Sequence, residues 1–260
     1  MVLDIKARLA AARIAERRLH DHLAEIGPDF LVGGLRRILK QTGEAARARI
    51  ATLNDGIYRQ PRFMDTTGPE SALLKINLTI EKKGDRIKLI LNGSSPILPD
   101  RPMNTYFQGL LGMAMVYVCG WLMPDLPANN GLLEAVDWEF PENSFINPKG
   151  DVPVSYAPAT MVAFSQGMFM AGAKLAYATD PSRAAGAWYT GFAVTVFGGF
   201  NQWGEPMADI TPEINATGAG GRPGMDGVDV AGVFFATMSD CGDVETTEAE
   251  RPFLYTFRNF

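Results

Sequence analysis

Charged and apolar positions are interspersed through the first fifty residues, which read as two helices broken at Gly27-Pro28. The second starts near Asp29 and is expected to be interrupted at Gly33-Gly34. Their Arg and Glu content leaves one face wet and makes this the basic end of the chain. The pattern then changes. "GIYRQPRFM", "LLKINLTIE" and "RIKLILNG" are rich in β-branched and alternating apolar residues and predict strands, the last two joined as a hairpin by the turn Lys82 to Asp85. After the Pro-rich loop "NGSSPILPDRPMN", Asn104 or Thr105 is positioned to cap an apolar helix that ends before Pro124. "PDLPANNG" reads as a long turn and Val136 to Phe140 as a strand. Ala159 to Ala178 predicts a helix whose many small residues permit close packing. "WYTGFAVTVFGGF", "VDVAGVFFATM" and "RPFLYTFRNF" are aromatic and β-branched enough to predict strands.

These elements predict an α+β fold in which mixed and antiparallel sheets pack with long helices. An N-terminal helical segment over residues 1–55 precedes an α+β core over residues 56–260 of hairpin strands and buried helices. With 260 residues, 47% of them hydrophobic and 20% charged, the chain has the makings of a substantial core in one large or two intimate domains. A net charge of -5 argues against a general nucleic-acid binder. Two cysteines, Cys119 and Cys241, make neither a disulfide framework nor a metal cluster and point to a reducing cytoplasm. The N-terminus lacks the uninterrupted apolar run of a secretion signal. Leu110 to Met123, the most hydrophobic segment, is too short to span a bilayer and reads as a buried core helix. From Glu205 to Glu250 there are ten acidic residues opposed by Arg222 alone. A solvated rim is favoured there over a docking face for a basic partner.

Candidate chemistry is sparse. In "NATGAGGRPGMDGVD", Gly218 and Gly220 match the start of G-x-G-x-x-G, but the third position is Pro223 and no Lys-Ser/Thr pair follows. The spacing favours a tight turn with positive φ at one or more glycines over a nucleotide loop, with Arg222 and Asp226 left as candidate partners of an anion. His20 and His22 stand two apart on a predicted helix and point in different directions, so they are poorly placed to share a metal. With no third histidine, a His-based triad is not available within the chain. Asp240, Asp243 and Glu245 lack the spacing of a calcium loop and read as a solvated turn. "GGFNQWGE" is equally compatible with a polar pocket wall and a turn whose amides are internally satisfied. The Met-rich segments "GMAMVYV" and "SQGMFMAG" are core filler in preference to a substrate tunnel.

In order, "NGSSPILPDRPMNT", "INPKGDVPVSY", "GGFNQWGE", "ATGAGGRPGMDGVD" and "SDCGDVETTEAERPFLYTFRNF" resemble the middle region of the hydantoinase B/oxoprolinase family. The closing segments resemble its ketone carboxylase branch, which includes acetone and acetophenone carboxylases. The resemblance runs from about Asp4 to Phe260 and is strongest after Leu89. It implies a subunit of a multi-subunit, ATP-dependent ketone carboxylase that is inactive alone. The alternatives are a subunit of an ATP-dependent cyclic amide hydrolase or a purely structural assembly subunit.

The same resemblance implies a hydantoinase A-like partner that binds ATP and activates the substrate by phosphorylation. Small ketone and bicarbonate would be the reactants. Full-length family members begin with a His- and Asp-containing region that holds a divalent metal, Mn or Zn, and continue into a further β-rich segment. This chain reads as the central section alone, a split subunit or a fragment, so ATP and metal are expected on partner chains, one of which carries that N-terminal region. No catalytic residue is assigned and no metal site is expected on the chain itself. Asn92, Ser94, Ser95 and Asn104 on one loop system, Asn201 and Gln202 on another, and Arg222 with Asp226 are expected to line a substrate pocket. Their roles would be hydrogen bonding to a carbonyl or carboxylate and fixing loop geometry.

Overall fold

A computed structural model describes residues 2–65, 72–186, 196–210, 218–228, 244–252 and 254–256. Helix α1 (Val2–Ile26) and helix α2 (Pro28–Ala51) meet where the sequence places the break. Gly27 takes φ 80, a value that favours glycine, and Pro28 starts the next helix where its missing N–H costs nothing. The expected interruption at Gly33-Gly34 does not occur. Glycine costs a helix about 1 kcal/mol, too little to break one whose far end is anchored in the core through Thr42, Gly43, Ala46 and Ile50.

The main sheet has the order β1 (Gly56–Met64), β2 (Leu74–Lys83), β3 (Arg86–Ile90) and β4 (Val136–Glu139). The first three strands are antiparallel and β4 lies parallel to β3, with Leu89 beside Trp138. The β2–β3 hairpin forms at the expected turn, with Gly84 at φ 60. Along β2 every second residue from Leu74 to Lys82 is buried, the period of a strand with one face on the core. Two helices cover that face: α3 (Phe107–Tyr117), prolonged by a π-helical turn over Val118–Leu122, and α4 (Ala157–Thr179). Phe164, Met168, Ala171 and Leu175 of α4 join Ile76, Leu78 and Leu89 in one apolar cluster. The small residues of α4 let it approach closely. A Cβ at Gly167 would sit 3.3 Å from the Leu78 side chain, and one at Gly172 would overlap the Tyr117 phenol.

Helix α2 rests on a 3-10 helix over Asn130–Ala135, where a Cβ at Gly131 would overlap the Leu39 carbonyl. A second, two-stranded antiparallel sheet, β5 (Val196–Phe200) with β6 (Pro206–Ile210), and the short helix α5 (Val244–Glu250) complete the described elements. The segment Trp188–Thr195 of one expected strand and nearly all of "VDVAGVFFATM" lie outside the described residues. Arg251–Phe260 does not form the expected strand where it is described. Pro252 lacks a ladder donor, Arg251 is held by Asp209 at 2.8 Å, and the Tyr255 N–H donates to the Glu248 carboxylate at 2.7 Å.

Capping of α3 also differs from expectation. Tyr106 occupies the cap position without a side-chain bond. Fully buried Asn104 instead accepts from the Leu98 N–H at 3.0 Å and donates to the carbonyls of Leu98 (2.6 Å), Arg101 (3.0 Å) and Pro153 (3.0 Å). Its amide is consumed by the loop before it reaches the helix. Thr105 contributes a long 3.4 Å bond to the Tyr106 carbonyl, not to a free helix N–H.

Lys82 is buried at the end of β2, where its ammonium donates to the Leu53 carbonyl and, at 2.7 Å, to the Asp55 carboxylate. That bond, with the Gly84 N–H at 3.0 Å, holds the Asp55 carboxyl below the usual carboxylate range. A carboxyl depressed by folding stabilises the protein above its unfolded pKa and loses that contribution as pH falls through its folded value. Asp55→Asn is therefore expected to melt at a lower temperature than the parent at pH 7. The gap should close as the pH falls below the ordinary aspartate value of about 4, which thermal melts across a pH series would check.

Candidate functional site

Two neighbouring cavities lie where the end of α3, the second half of α4 and the glycine-rich loop converge. The more enclosed has a volume of about 300 Å³ and is walled by Leu53, Tyr117, Trp121, Leu122 and the small residues of α4. The other, about 510 Å³, is open and shares Ala173, Ala185 and Arg222 with it. The wall of the enclosed one mixes apolar side chains with the polar groups of Tyr117, Thr179, Ser182, Arg183 and Arg222, the kind of lining a small-molecule site uses.

Tyr117 is 4% exposed, lies against Gly172 and packs edge-on to Phe169 at 5.2 Å, and its hydroxyl bonds to no described residue. Burial pushes its ionisation far above the ordinary tyrosine value, so the phenol stays a neutral donor. Trp121 stands in the π-helical turn, an irregular end of the helix, and lines the cavity.

Arg183 and Arg222 bring positive charge. Arg183 ends the 3-10 turn Pro181–Arg183, whose cap is Asp180, which accepts from the Ser182 N–H at 3.0 Å and its hydroxyl at 2.7 Å. These bonds, with the Arg183 charge adding to them, hold the Asp180 carboxyl below its usual range. Neither guanidinium makes an ion pair with a described residue.

The glycine-rich loop explains how Arg222 reaches this place. Arg222 and Met225 exchange backbone bonds at 2.9 Å across Pro223 and Gly224, a turn in which Gly224 takes φ 74. The expected positive-φ glycine is thus found. The other glycines permit contact: the Gly186 N–H donates to the Gly221 carbonyl at 2.7 Å, and a Cβ at Gly220 would overlap the Gly186 backbone. At Gly227 a Cβ would overlap the Ala219 carbonyl, beside the bond from the Ala219 N–H to the Val228 carbonyl at 2.8 Å. Three N–H groups, at Ala219, Arg222 and Met225, are bonded inside the loop, so it does not fit the phosphate cradle that ATP needs. Among the described residues no three His, Cys, Asp or Glu converge as a metal site, and these residues do not fit a divalent ion either. His20 and His22 are exposed on α1, His22 facing Glu25 at 3.8 Å. Of the acidic trio, Asp240 and Asp243 lie outside the described residues, as does Cys241.

Of the eight residues singled out from sequence, Arg222 is the one that lines these cavities. Asp226 is exposed on the same loop without an ion pair to Arg222. Ser94 and Ser95 continue the sheet edge where β3 ends: the Ser94 hydroxyl accepts from the Asn77 N–H at 2.9 Å and donates to the Leu91 carbonyl at 2.7 Å. The Ser95 hydroxyl accepts from the Lys75 N–H at 2.9 Å. Asn92 donates to Glu139, and its carbonyl accepts from Asn77 at 2.6 Å. Asn201 shapes the β5–β6 turn, accepting from the N–H groups of Trp203 (3.0 Å) and Glu205 (2.8 Å), while Gln202 donates to the Ala249 carbonyl at 3.1 Å. Tyr117, Trp121 and Arg183 went unnoticed in the sequence. The small residues of α4 and the Asp-Pro-Ser turn after it were the available signals.

The chain is thus an α+β protein whose small-molecule-sized cavity is reached by two guanidinium groups that pair with no described residue. The hydantoinase B/oxoprolinase family model matches residues 1–260, and the chain belongs to that family. It is 29% identical over 262 residues to the acetophenone carboxylase delta subunit of Aromatoleum aromaticum, covering 100% of this chain and 38% of the relative. It is 25% identical over 266 residues to one component of a putative D-/L-hydantoinase from a Pseudomonas species, covering 97% and 43%. Among solved structures, nucleotide-free acetone carboxylase superposes with a TM-score of 0.81 at 22% identity, covering 96% of this chain and 35% of that one. The ATP-dependent caprolactamase of Pseudomonas jessenii gives a TM-score of 0.77 at 20% identity, covering 96% and 43%. These structural likenesses speak for the fold. The chain spans about two-fifths of the length of the curated relatives it matches, 38% and 43%. No helix among the described residues is long and apolar enough to cross a membrane.

Proposed function

We propose that this chain belongs to a multi-subunit, ATP-dependent ketone carboxylase and forms the wall of its substrate pocket. The observation that carries the reading is a chamber of about 300 Å³ that combines a neutral phenol, Tyr117, with the guanidinium groups of Arg183 and Arg222. Carboxylating a ketone joins an apolar body, a carbonyl oxygen that gathers negative charge as the enolate forms, and a carboxylate product. The Tyr117 hydroxyl donates to the ketone oxygen, and its high ionisation value keeps the proton on the donor. The two arginines hold the carboxylate, for which their forked N–H geometry is suited. Similarity to the acetophenone carboxylase delta subunit over the whole chain supports this reaction class. ATP and the divalent metal belong to partner chains, a hydantoinase A-like subunit and one with the metal-binding region, and the chain alone is inactive.

A second reading, ATP-dependent hydrolysis of cyclic amides, draws on the hydantoinase and caprolactamase likenesses. A buried phenol donor with two guanidinium groups at the same cavity suits a carboxylate-forming reaction better than attack by water. Arg222→Ala, introduced into the assembled complex, is expected to lower kcat/KM for ATP-dependent carboxylation by about 10- to 100-fold, the loss of one charge-assisted contact. Size-exclusion chromatography should show the complex intact. Unchanged carboxylation by an intact complex would remove Arg222 from the pocket and favour a purely structural role for the chain.

A further inference from the structure

Helix α1 runs for 25 residues, about 37 Å at 1.5 Å per residue, and buries none of its side chains. Its apolar residues are ordered. Positions 2, 5, 9, 12, 16, 19, 23 and 26 alternate steps of three and four, the heptad spacing that keeps one seam facing a neighbouring helix. Six of them are large and apolar: Val2, Ile5, Leu9, Leu19, Leu23 and Ile26. Leu9 and Leu19 are 56% and 50% exposed. Ala12 fills a seventh, and Glu16 sits in the middle of the seam. Leu3 and Ile14 are the large apolar residues outside it.

The residues that flank the seam decide what can cover it. On its two sides stand Lys6, Arg8, Arg13, Ala15, His20 and His22. None is acidic; the acids Asp4, Asp21 and Glu25 lie farther round the helix. A second copy placed parallel would set Arg8 against Arg13. Placed antiparallel, it would set Arg13 against Arg13. Both arrangements put like charges together along the seam and bury Glu16 without a cation, and such pairs disfavour association. A membrane surface suits the basic flanks but not a narrow seam carrying a central carboxylate, because a helix lying in lipid presents a broad apolar face.

We propose that α1 is one half of a heterotypic coiled coil. Its partner is an amphipathic helix of another polypeptide, about seven turns long, with an apolar seam, Glu or Asp along the flanks, and a Lys or Arg facing Glu16. The flanks give attraction and partner choice, and the Glu16 pair fixes the register. This surface is independent of the cavity and of the reaction assigned to it.

The test uses the whole chain and two synthetic heptad peptides with a Leu/Ile seam and one central seam Lys, one flanked throughout by Glu, the other by Lys. Fluorescence anisotropy should show binding of the Glu-flanked peptide at least about tenfold tighter than that of the Lys-flanked one, with the preference fading as salt is raised. Leu9→Asp with Leu19→Asp should abolish binding. The triple change Lys6→Glu, Arg13→Glu and His20→Glu should reverse the preference. α1 lies outside the core, so circular dichroism should show both variants folded. Equal binding of the two peptides, or no binding of the Glu-flanked one, would overturn the proposal. So would self-association in sedimentation velocity that Leu9→Asp removes, or binding to phosphatidylcholine/phosphatidylglycerol vesicles that the same change removes.

Discussion

Alanine at Phe164 is expected to destabilise the protein by about 3–5 kcal/mol, the cost of emptying a large aromatic position in a close-packed core. Phe164 is fully buried in α4, within the cluster that joins this helix to Ile76 and Leu78 of β2. Two terms add. Apolar surface returns to water in the unfolded state without compensation, and the cavity left behind cannot collapse, because the neighbouring positions on α4 are already in close contact with the sheet at Gly167 and with Tyr117 at Gly172. Urea unfolding should show a lower midpoint at unchanged slope. Phe200→Ala is the control: Phe200 is 70% exposed at the end of β5, and the change should stay within about 0.5 kcal/mol. Equal effects at the two positions would mean that α4 is not the inner layer of the fold.

Valine at Gly220 is expected to abolish most of the activity of the assembled complex while leaving the main sheet and its helices stable. A Cβ there would overlap the Gly186 backbone, its nearest neighbours, which cannot yield as a flexible side chain could. The glycine-rich loop must therefore lift away from Gly186, breaking the Gly186 to Gly221 hydrogen bond of 2.7 Å and carrying Arg222 from the cavity. The loss should equal or exceed that of Arg222→Ala, since the pocket wall moves with the charge. Carboxylation assays on both variants, with melting curves beside them, give the comparison. Full activity in Gly220→Val together with a loss in Arg222→Ala would separate Arg222 from the loop's seat on Gly186.

The parts of this fold that could be read from sequence are those fixed by neighbours along the chain. The kink at Gly27-Pro28 follows from one positive φ and one missing N–H, and the β2–β3 hairpin follows from Gly84 between alternating apolar residues. The apolar run before Pro124 formed helix α3 and its π-helical continuation, but only Leu110, Ala114, Tyr117 and Val118 are buried there, so the expected buried helix is buried along one side alone. Gly33-Gly34 misled because tertiary anchoring at the other end of α2 outweighs a local propensity. Asn104 misled because an amide two residues before a helix looks the same in sequence whether it caps that helix or staples its own loop.

The cavity was harder to see, because its walls come from residues near 53, 117–122, 172–185 and 222. Nothing in local pattern links them. Arg222 was recognisable because it stands among glycines. Arg183 looked like any polar residue after a helix, and Tyr117 like core filler. The glycines themselves carried a double meaning: their crowding resembles a phosphate loop, yet Gly220 and Gly227 serve backbone contact.

ATP-driven carboxylation of a ketone is the activity we propose for the complex that contains this chain. Its most direct test is fixation of radiolabelled bicarbonate into acid-stable product by the natively purified complex, with ATP and a panel of small aliphatic and aromatic ketones, run beside hydantoin and caprolactam hydrolysis. Label should be fixed only when both ATP and a ketone are present, and lost when the Tyr117→Phe and Arg222→Ala changes are combined. ATP-dependent opening of a cyclic amide with no ketone-dependent fixation would contradict the proposed activity.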